Sequence, residues 1–195
     1  MGFSLSWAAV RGGTPQSVQA VLGLQGTGAH EESPESPITG AELPGGWYMV
    51  ASNRDGLRLT EDAVLGRLSG VGEVVTCFVE EHVMCSMAAG WRDGRRVWSV
   101  RHDAQSDPEH LEVEGDLPAA FVAIRDRLRA EQAADGGREA DVDHLFDIPV
   151  ELARSMTGYR HDEDVPGMPA AAFEVLVHAA SPHGKRPWWK KWLGG

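Results

Sequence analysis

The chain has 195 residues, of which 42% are hydrophobic and 24% charged, and this composition is typical of a folded globular protein. Its 18 basic and 29 acidic residues give a formal charge of −11, which disfavours a nucleic-acid surface because an acidic protein repels phosphate. No run approaches the 18 apolar residues of a membrane-spanning helix, and Met1 to Val10 has no signal-peptide pattern. We therefore expect a cytoplasmic protein.

The first 70 residues predict two strands and two helices around one long loop. Thr14 is well suited to cap a helix that begins at Pro15, since threonine favours the cap position and proline the first helical position. Residues 26–46 are rich in Gly, Pro, Ser and Glu and predict a loop. The other predicted elements are strands at 5–10 and 47–51 and a helix from Thr60 to about Gly70.

Residues 73–103 predict a β-hairpin, because two β-rich runs lie on either side of Asp93-Gly94. This dipeptide tolerates the positive φ angles of a type I′ turn. Counting outward from the turn places Cys85 opposite His102. One face of the hairpin is then mostly apolar and is expected to cover the core: Cys77, Val79, Glu81, Val83, Cys85, Met87, Ala89, Trp98, Val100 and His102. The opposite face collects Glu80, His82, Met84, Ser86, Arg101 and Asp103.

The second half of the chain predicts two further strands and three helices. Pro118 begins a helix that ends at Gly136-Gly137. Pro149 is expected to separate two short helices, the second of which ends at Gly158. The predicted elements are strands at 111–114 and 173–177, the short helices at 141–146 and 150–156, and an apolar stripe of Phe121, Val122, Ile124 and Leu128 on the long helix.

These elements predict an α+β fold for residues 1–180: a single domain with a mainly antiparallel sheet built around a central hairpin, and with helices packed on one face. Residues 181–195 differ in composition, since they hold all three lysines and three of the seven tryptophans. We interpret them as a basic, Trp-rich C-terminal tail. Three roles stay open for the tail: docking on the body or disorder, a partner-binding peptide, and membrane contact.

The polar face of the hairpin carries the candidate site, which consists of Glu80, His82, Arg101 and Asp103. Two carboxylates and an imidazole are suitable ligands for a divalent metal. However, the chain has no closely spaced pair of histidines here, and an arginine beside the group would repel a cation. A protein-recognition patch and a solvated face with ion pairs are the other interpretations. We expect a partner-binding patch with no metal and no cofactor.

Other groupings carry weaker signals. Cys85 opposite His102 could act as a nucleophile and its base, but no oxyanion site or orienting residue accompanies them, so a buried thiol and a core histidine are favoured. His161 beside the acidic residues 162–164 could ligate a metal, although such loops are usually solvated. The glycines at 23–28 follow a helix rather than a strand, which argues against a dinucleotide site.

Four segments resemble a group of small uncharacterised bacterial proteins: Ser6–Val10, Trp47-Tyr48, Val79–Met84 and Trp98–Asp103. The resemblance covers most of the chain and implies no activity for any residue. In size, acidity and lack of a catalytic motif, the chain is also similar to the immunity proteins that accompany bacterial polymorphic toxins. This similarity implies a stable scaffold that blocks a partner through a complementary surface.

The sequence therefore predicts a protein-binding module, most concretely an immunity-like protein that neutralises a bacterial toxin by occluding it. An acidic surface would steer a basic toxin domain to the patch. The acidic segments near Glu31-Glu32 and at 162–164 are expected to contribute. The alternative is a metal-assisted hydrolase that uses Glu80, His82 and Asp103.

Overall fold

The computed structural model describes residues 2–53 and 57–179, and within them the chain forms one antiparallel sheet of nine strands. The strands follow the order β2-β9-β3-β4-β1-β5-β6-β7-β8 across the sheet. This arrangement confirms the predicted α+β class with an antiparallel sheet. The strands are β1 (Ser4–Arg11), β2 (Leu24–Glu31), β3 (Ile38–Leu43), β4 (Trp47–Asn53), β5 (Glu73–Glu80), β6 (Cys85–Arg92), β7 (Arg95–Asp103), β8 (Glu112–Gly115) and β9 (Phe173–His178).

Helices cover both faces of the sheet, whereas the sequence predicted helices on one face only. Helices α1 (Pro15–Leu22) and α2 (Asp62–Leu68) pack on one face through Val18, Leu65 and Leu68. Helices α3 (Phe121–Ala134) and α4 (Asp147–Thr157) pack on the other. We call these the α1–α2 face and the α3–α4 face. Both alternating sets of side chains in the central strand β1 are buried, so both faces need a cover.

The predicted loop at 26–46 is wrong, because this segment contains most of β2 and all of β3. Strand β2 lies at the edge of the sheet and buries little side-chain surface, so it lacks an alternating apolar pattern. Its backbone pairs with β9. In β3, Gly40 lies against the ring of Tyr48, where a Cβ atom would be 2.2 Å from the hydroxyl oxygen.

The predicted helix at Pro15 is confirmed, together with its cap. The Thr14 hydroxyl accepts a hydrogen bond from the Ser17 amide, and the Ser17 hydroxyl accepts one from the Thr14 amide. The helix predicted at 150–156 lies within α4, which begins before Pro149 because proline is tolerated in the first turn of a helix. The helix predicted at 141–146 is wrong, because these residues form bends and a turn before α4. Val122, which was predicted to lie in the apolar stripe of α3, is 54% exposed.

The Asp93-Gly94 turn is confirmed, with φ angles of 51° and 77°. The register beyond it differs from the prediction because Val97 and Trp98 form a β-bulge opposite Gly90. Cys85 consequently pairs with Asp103 rather than with His102. The hairpin of β6 and β7 also lies near the β8 edge, whereas β1 occupies the centre of the sheet.

The run before the turn was predicted as one strand, but it forms β5 and β6 joined by a turn at residues 81–84. Met84 has a φ of 49° in this turn. The reversal puts Cys85 and Met87 on the α1–α2 face, opposite Cys77, so the prediction that all three share the core face is wrong. Ser86 was predicted on the polar face, yet it is buried on the α3–α4 face and donates a hydrogen bond to the Phe146 carbonyl.

The predicted Trp-rich tail at 181–195 lies outside the described residues. Among the helices that the structure describes, none has both the length and the apolar character needed to cross a membrane.

Gly90→Ala should destabilise the fold because the new Cβ atom would lie 2.0 Å from Nε1 of the buried Trp98 indole. Overpacking of this kind costs about 1–3 kcal/mol. Gly66→Ala is the matched control. Its Cβ would lie in α2 no closer than 3.5 Å to a neighbouring atom, so the better helix former should stabilise by up to about 1 kcal/mol. Urea unfolding of both variants measures whether the free energy of unfolding falls for Gly90→Ala and rises for Gly66→Ala. An equal decrease for the two variants would contradict this packing.

Candidate functional site

The four residues predicted as a site do come together on the α1–α2 face. Cys85 pairs with Glu80 on one side and with Asp103 on the other, so the three residues form a row across β5, β6 and β7. His82 Nδ1 lies 2.8 Å from Glu80 Oε1. Arg101 donates a hydrogen bond of 2.7 Å to Asp103 Oδ2. We call Glu80, His82, Arg101 and Asp103 the charged patch.

An apolar groove lies beside the charged patch. Phe78, Cys85 and Met87 are only partly buried and line a depression of about 460 Å³. The same depression is bordered by charged side chains of β7 and β8, including Arg96 and Glu114. An apolar centre with a polar rim is the usual anatomy of a protein interface. We call this depression the sheet groove.

The carboxylates of the charged patch are each held by a neighbouring side chain. The backbones of Glu80 and Asp103 lie two strands apart, roughly 10 Å at about 4.8 Å per strand. The guanidinium of Arg101 bonds to Asp103. Hydrogen bonds from Ser4 and His82 lower the pKa of Glu80 against the opposing effect of burial, while burial raises the pKa of the Cys85 thiol. Within residues 2–53 and 57–179, no three His, Cys, Asp or Glu side chains are grouped to hold a metal ion.

His102 is a core residue on the α3–α4 face, as favoured from the sequence, and it does not face Cys85. Its Nδ1 atom is 2.7 Å from the His110 carbonyl oxygen and its Nε2 atom is 2.9 Å from Asp143 Oδ2. Burial opposes the charged ring, but the two hydrogen bonds outweigh it and raise the pKa of His102. The His102 ring thus ties β7 to the segment before α4.

The bond between His102 and Asp143 should make stability depend on pH. Because the folded-state pKa of His102 is raised, its contribution is complete below the unfolded-state pKa of about 6.5 and is lost as the pH rises through the folded-state pKa. The free energy of unfolding that separates wild type from His102→Gln should therefore shrink between pH 5.5 and pH 9. Asp143→Asn should remove the same dependence. A difference that is constant with pH would show that the ring is neutral in the folded protein.

A larger cavity, of about 870 Å³, lies on the α3–α4 face. Five acidic residues line it: Glu32, Glu35, Asp162, Glu163 and Asp164. The sequence predicts the acidic segments at 31–32 and 162–164 as separate contributors to a binding surface, and in the fold Glu32 and residues 162–164 line one cavity. The proximity of these segments could not be predicted from the sequence, because they are about 130 residues apart in the chain. They are brought together only by long-range pairing in the sheet. We call this cavity the acidic cleft.

Arg160 fixes the segment that carries one wall of the acidic cleft. Its guanidinium donates hydrogen bonds to Asp147 at 2.9 Å and to Glu151 at 2.7 Å, both in α4, and to Asp162 at 2.6 Å. The Arg160 side chain is 13% exposed. Burial opposes its charge, but the surrounding carboxylates raise the pKa of the guanidinium further above its usual range. The 158–165 segment is therefore held to α4 by ion pairs as well as by packing.

Two buried polar atoms in the wall of the acidic cleft have no hydrogen-bond partner within the described residues. They are the Tyr159 hydroxyl and His161 Nδ1. Burial raises the pKa of Tyr159, whose ring packs edge-on against Trp7 and Phe173. The sequence analysis identifies His161 only as a possible metal ligand in a loop and does not identify Tyr159. The glycine that ends α4 directly before this tyrosine was the one available signal that the chain turns back onto the core there.

Removing the Arg160 charge should be strongly destabilising because it leaves Asp147 partly buried without its cation and leaves Glu151 paired with Arg154 alone. Arg160→Leu is expected to reduce the free energy of unfolding by about 3–5 kcal/mol. The control is Arg127→Leu, which breaks an exposed ion pair with Glu131 and should cost less than about 1 kcal/mol. Similar losses for the two variants in guanidinium chloride unfolding would rule out an anchoring role for Arg160.

Comparison of the chain with models of protein families, with curated proteins and with solved structures found no significant match.

Proposed function

We propose that this chain is a cytoplasmic protein-binding module, most concretely an immunity-like protein that neutralises a basic bacterial toxin domain by occluding it. The observation that carries the proposal is the sheet groove with the charged patch at its side. Phe78, Cys85 and Met87 supply an apolar centre that no helix of the described residues covers, and charged groups of both signs surround it. A partner that buries this centre gains hydrophobic free energy, and the charges restrict which partner fits.

The side chains of the charged patch are accessible to a partner. The His82 side chain is 64% exposed and that of Arg101 is 46% exposed, whereas Glu80 and Asp103 are more enclosed. The enclosed carboxylates orient the exposed His82 ring and Arg101 guanidinium through the bonds described above. Such pre-oriented groups lose less side-chain entropy on binding than free surface side chains do.

The overall charge favours a basic partner. Residues 1–182 hold 14 of the 18 basic residues and all 29 acidic ones. A strongly acidic body attracts a basic protein over distances of about 10 Å at moderate ionic strength and raises the association rate. A toxin domain that acts on nucleic acid would carry such a basic surface.

The proposal is tested by purifying the protein from its own host without chelator and identifying a retained partner by native mass spectrometry. We expect a stoichiometric basic protein, free of metal, whose toxicity on expression is suppressed by the wild-type chain. Replacing all four residues of the charged patch by alanine should weaken the complex at least 100-fold, about 2.7 kcal/mol, and abolish protection. The melting temperature of the variant confirms that it is folded.

A control variant carries Asp126→Ala, Arg127→Ala and Glu131→Ala on α3, which packs on the opposite face of the sheet. It should bind and protect like the wild type. Equal loss in both variants would place the interface elsewhere. A stoichiometric divalent metal that only the patch variant loses would instead support the metal-assisted hydrolase that uses Glu80, His82 and Asp103.

A further inference from the structure

We propose that the acidic cleft is a second binding site, for a small organic cation that carries a primary ammonium group on an apolar body. The site combines a cavity of metabolite size, carboxylates and two buried polar atoms that lack partners. It lies on the α3–α4 face, away from the sheet groove, so it does not depend on the proposed protein-binding function.

The size and walls of the acidic cleft suit a small molecule. A volume of about 870 Å³ lies within the range of roughly 300–1,000 Å³ that is usual for ligand sites. Phe3, Tyr159, Met168 and Phe173 provide apolar and aromatic wall surface. Phe3 also packs edge-on against His161, with ring centroids 4.9 Å apart. These side chains would contact the apolar body of the ligand.

The carboxylates select a cation. Asp162 and Glu163 are already paired with arginines of the same face. Among the described residues, Glu32, Glu35 and Asp164 have no cationic partner, and all three line the cavity. A negative or neutral ligand would leave this charge unbalanced, whereas an ammonium group would neutralise part of it.

The Tyr159 hydroxyl is the buried polar atom that a ligand with N–H donors would pair, because it can accept a hydrogen bond. His161 Nε2 lies 3.3 Å from Glu81 Oε1, and its Nδ1 lies 3.9 Å from Asp162 Oδ1, too far for a hydrogen bond. A primary ammonium has three N–H donors and can therefore satisfy the Tyr159 hydroxyl and a carboxylate together. Groups of this kind are rarely left unpaired in a protein interior, because an unmade hydrogen bond is unfavourable.

The walls of the acidic cleft are held in place before any ligand arrives. Arg160 fixes the 158–165 segment to α4, and Glu81 accepts a hydrogen bond from the Phe3 amide while it faces His161. A preformed site binds its ligand with a smaller loss of conformational entropy.

Isothermal titration calorimetry with 2-phenylethylamine and spermidine tests the proposal, and 2-phenylethanol serves as the uncharged control. We expect binding of at least one amine and no binding of the alcohol. Tyr159→Phe should weaken amine binding at least tenfold without lowering the melting temperature, since the hydroxyl that it removes has no partner. The double variant Glu35→Gln with Asp164→Asn should also weaken binding at least tenfold and reduce its dependence on salt.

Glu112→Gln is the matched control, because it removes one exposed carboxylate beside the sheet groove. It should leave amine affinity unchanged. The proposal would be overturned if neither amine bound, if the alcohol bound equally well, or if the cleft variants kept full affinity. Exclusive binding of a lysine-containing peptide would overturn the small-molecule assignment and identify a polypeptide as the source of the ammonium group. Failure here leaves the outcome of the partner-capture experiment unaffected, because the two sites share no tested residue.

Discussion

The structure depends on the central strand β1, which must be covered on both of its faces. Trp7 and Ala9 pack toward α4, while Ala8 and Val10 pack toward α1 and α2. A strand buried on both faces cannot lie at the surface of a two-layer protein, so a third layer is required. The described residues supply it with two pairs of helices on opposite faces. The open areas of the sheet are then those beyond the reach of the helices, and the sheet groove is one of them.

The two proposed sites differ in how their polar groups are held. In the charged patch the carboxylates orient the exposed His82 ring and Arg101 guanidinium, so the surface that a partner meets is polar and of mixed charge. In the acidic cleft, Arg160 pairs with Asp147 and Glu151 of α4 and so holds the wall in place. Other carboxylates line the cavity. The first arrangement suits selective recognition between proteins, and the second suits capture of a small cation.

The hairpin shows how a site can be predicted correctly from a wrong register. The turn at 81–84 reverses the chain and puts Cys85 on the face opposite Cys77. The bulge at Val97 then shifts the pairing of β6 with β7 by one residue. Each event shifts the alternation of side chains by one residue. The two shifts cancel between β5 and β7, so Glu80 and Asp103 share a face as predicted. Among the strands, β6 is the one whose side chains were assigned to the wrong faces. In the turn before it, Met84 packs against the core of the α3–α4 face instead of lying on the polar face, and Val83 is exposed instead of covering the core.

The sequence by itself determined the elements whose signals are local. These are the capped helix at Pro15, the Asp93-Gly94 turn, the α+β class and most strands with alternating apolar residues, because caps, turns and periodicity act over a few residues. Only the tertiary structure decided the edge strand β2, the second helical layer and the acidic cleft. An edge strand gains its stability from backbone pairing with a distant partner, and the cleft joins segments about 130 residues apart in the chain. No local pattern carries that information, since it arises from long-range packing.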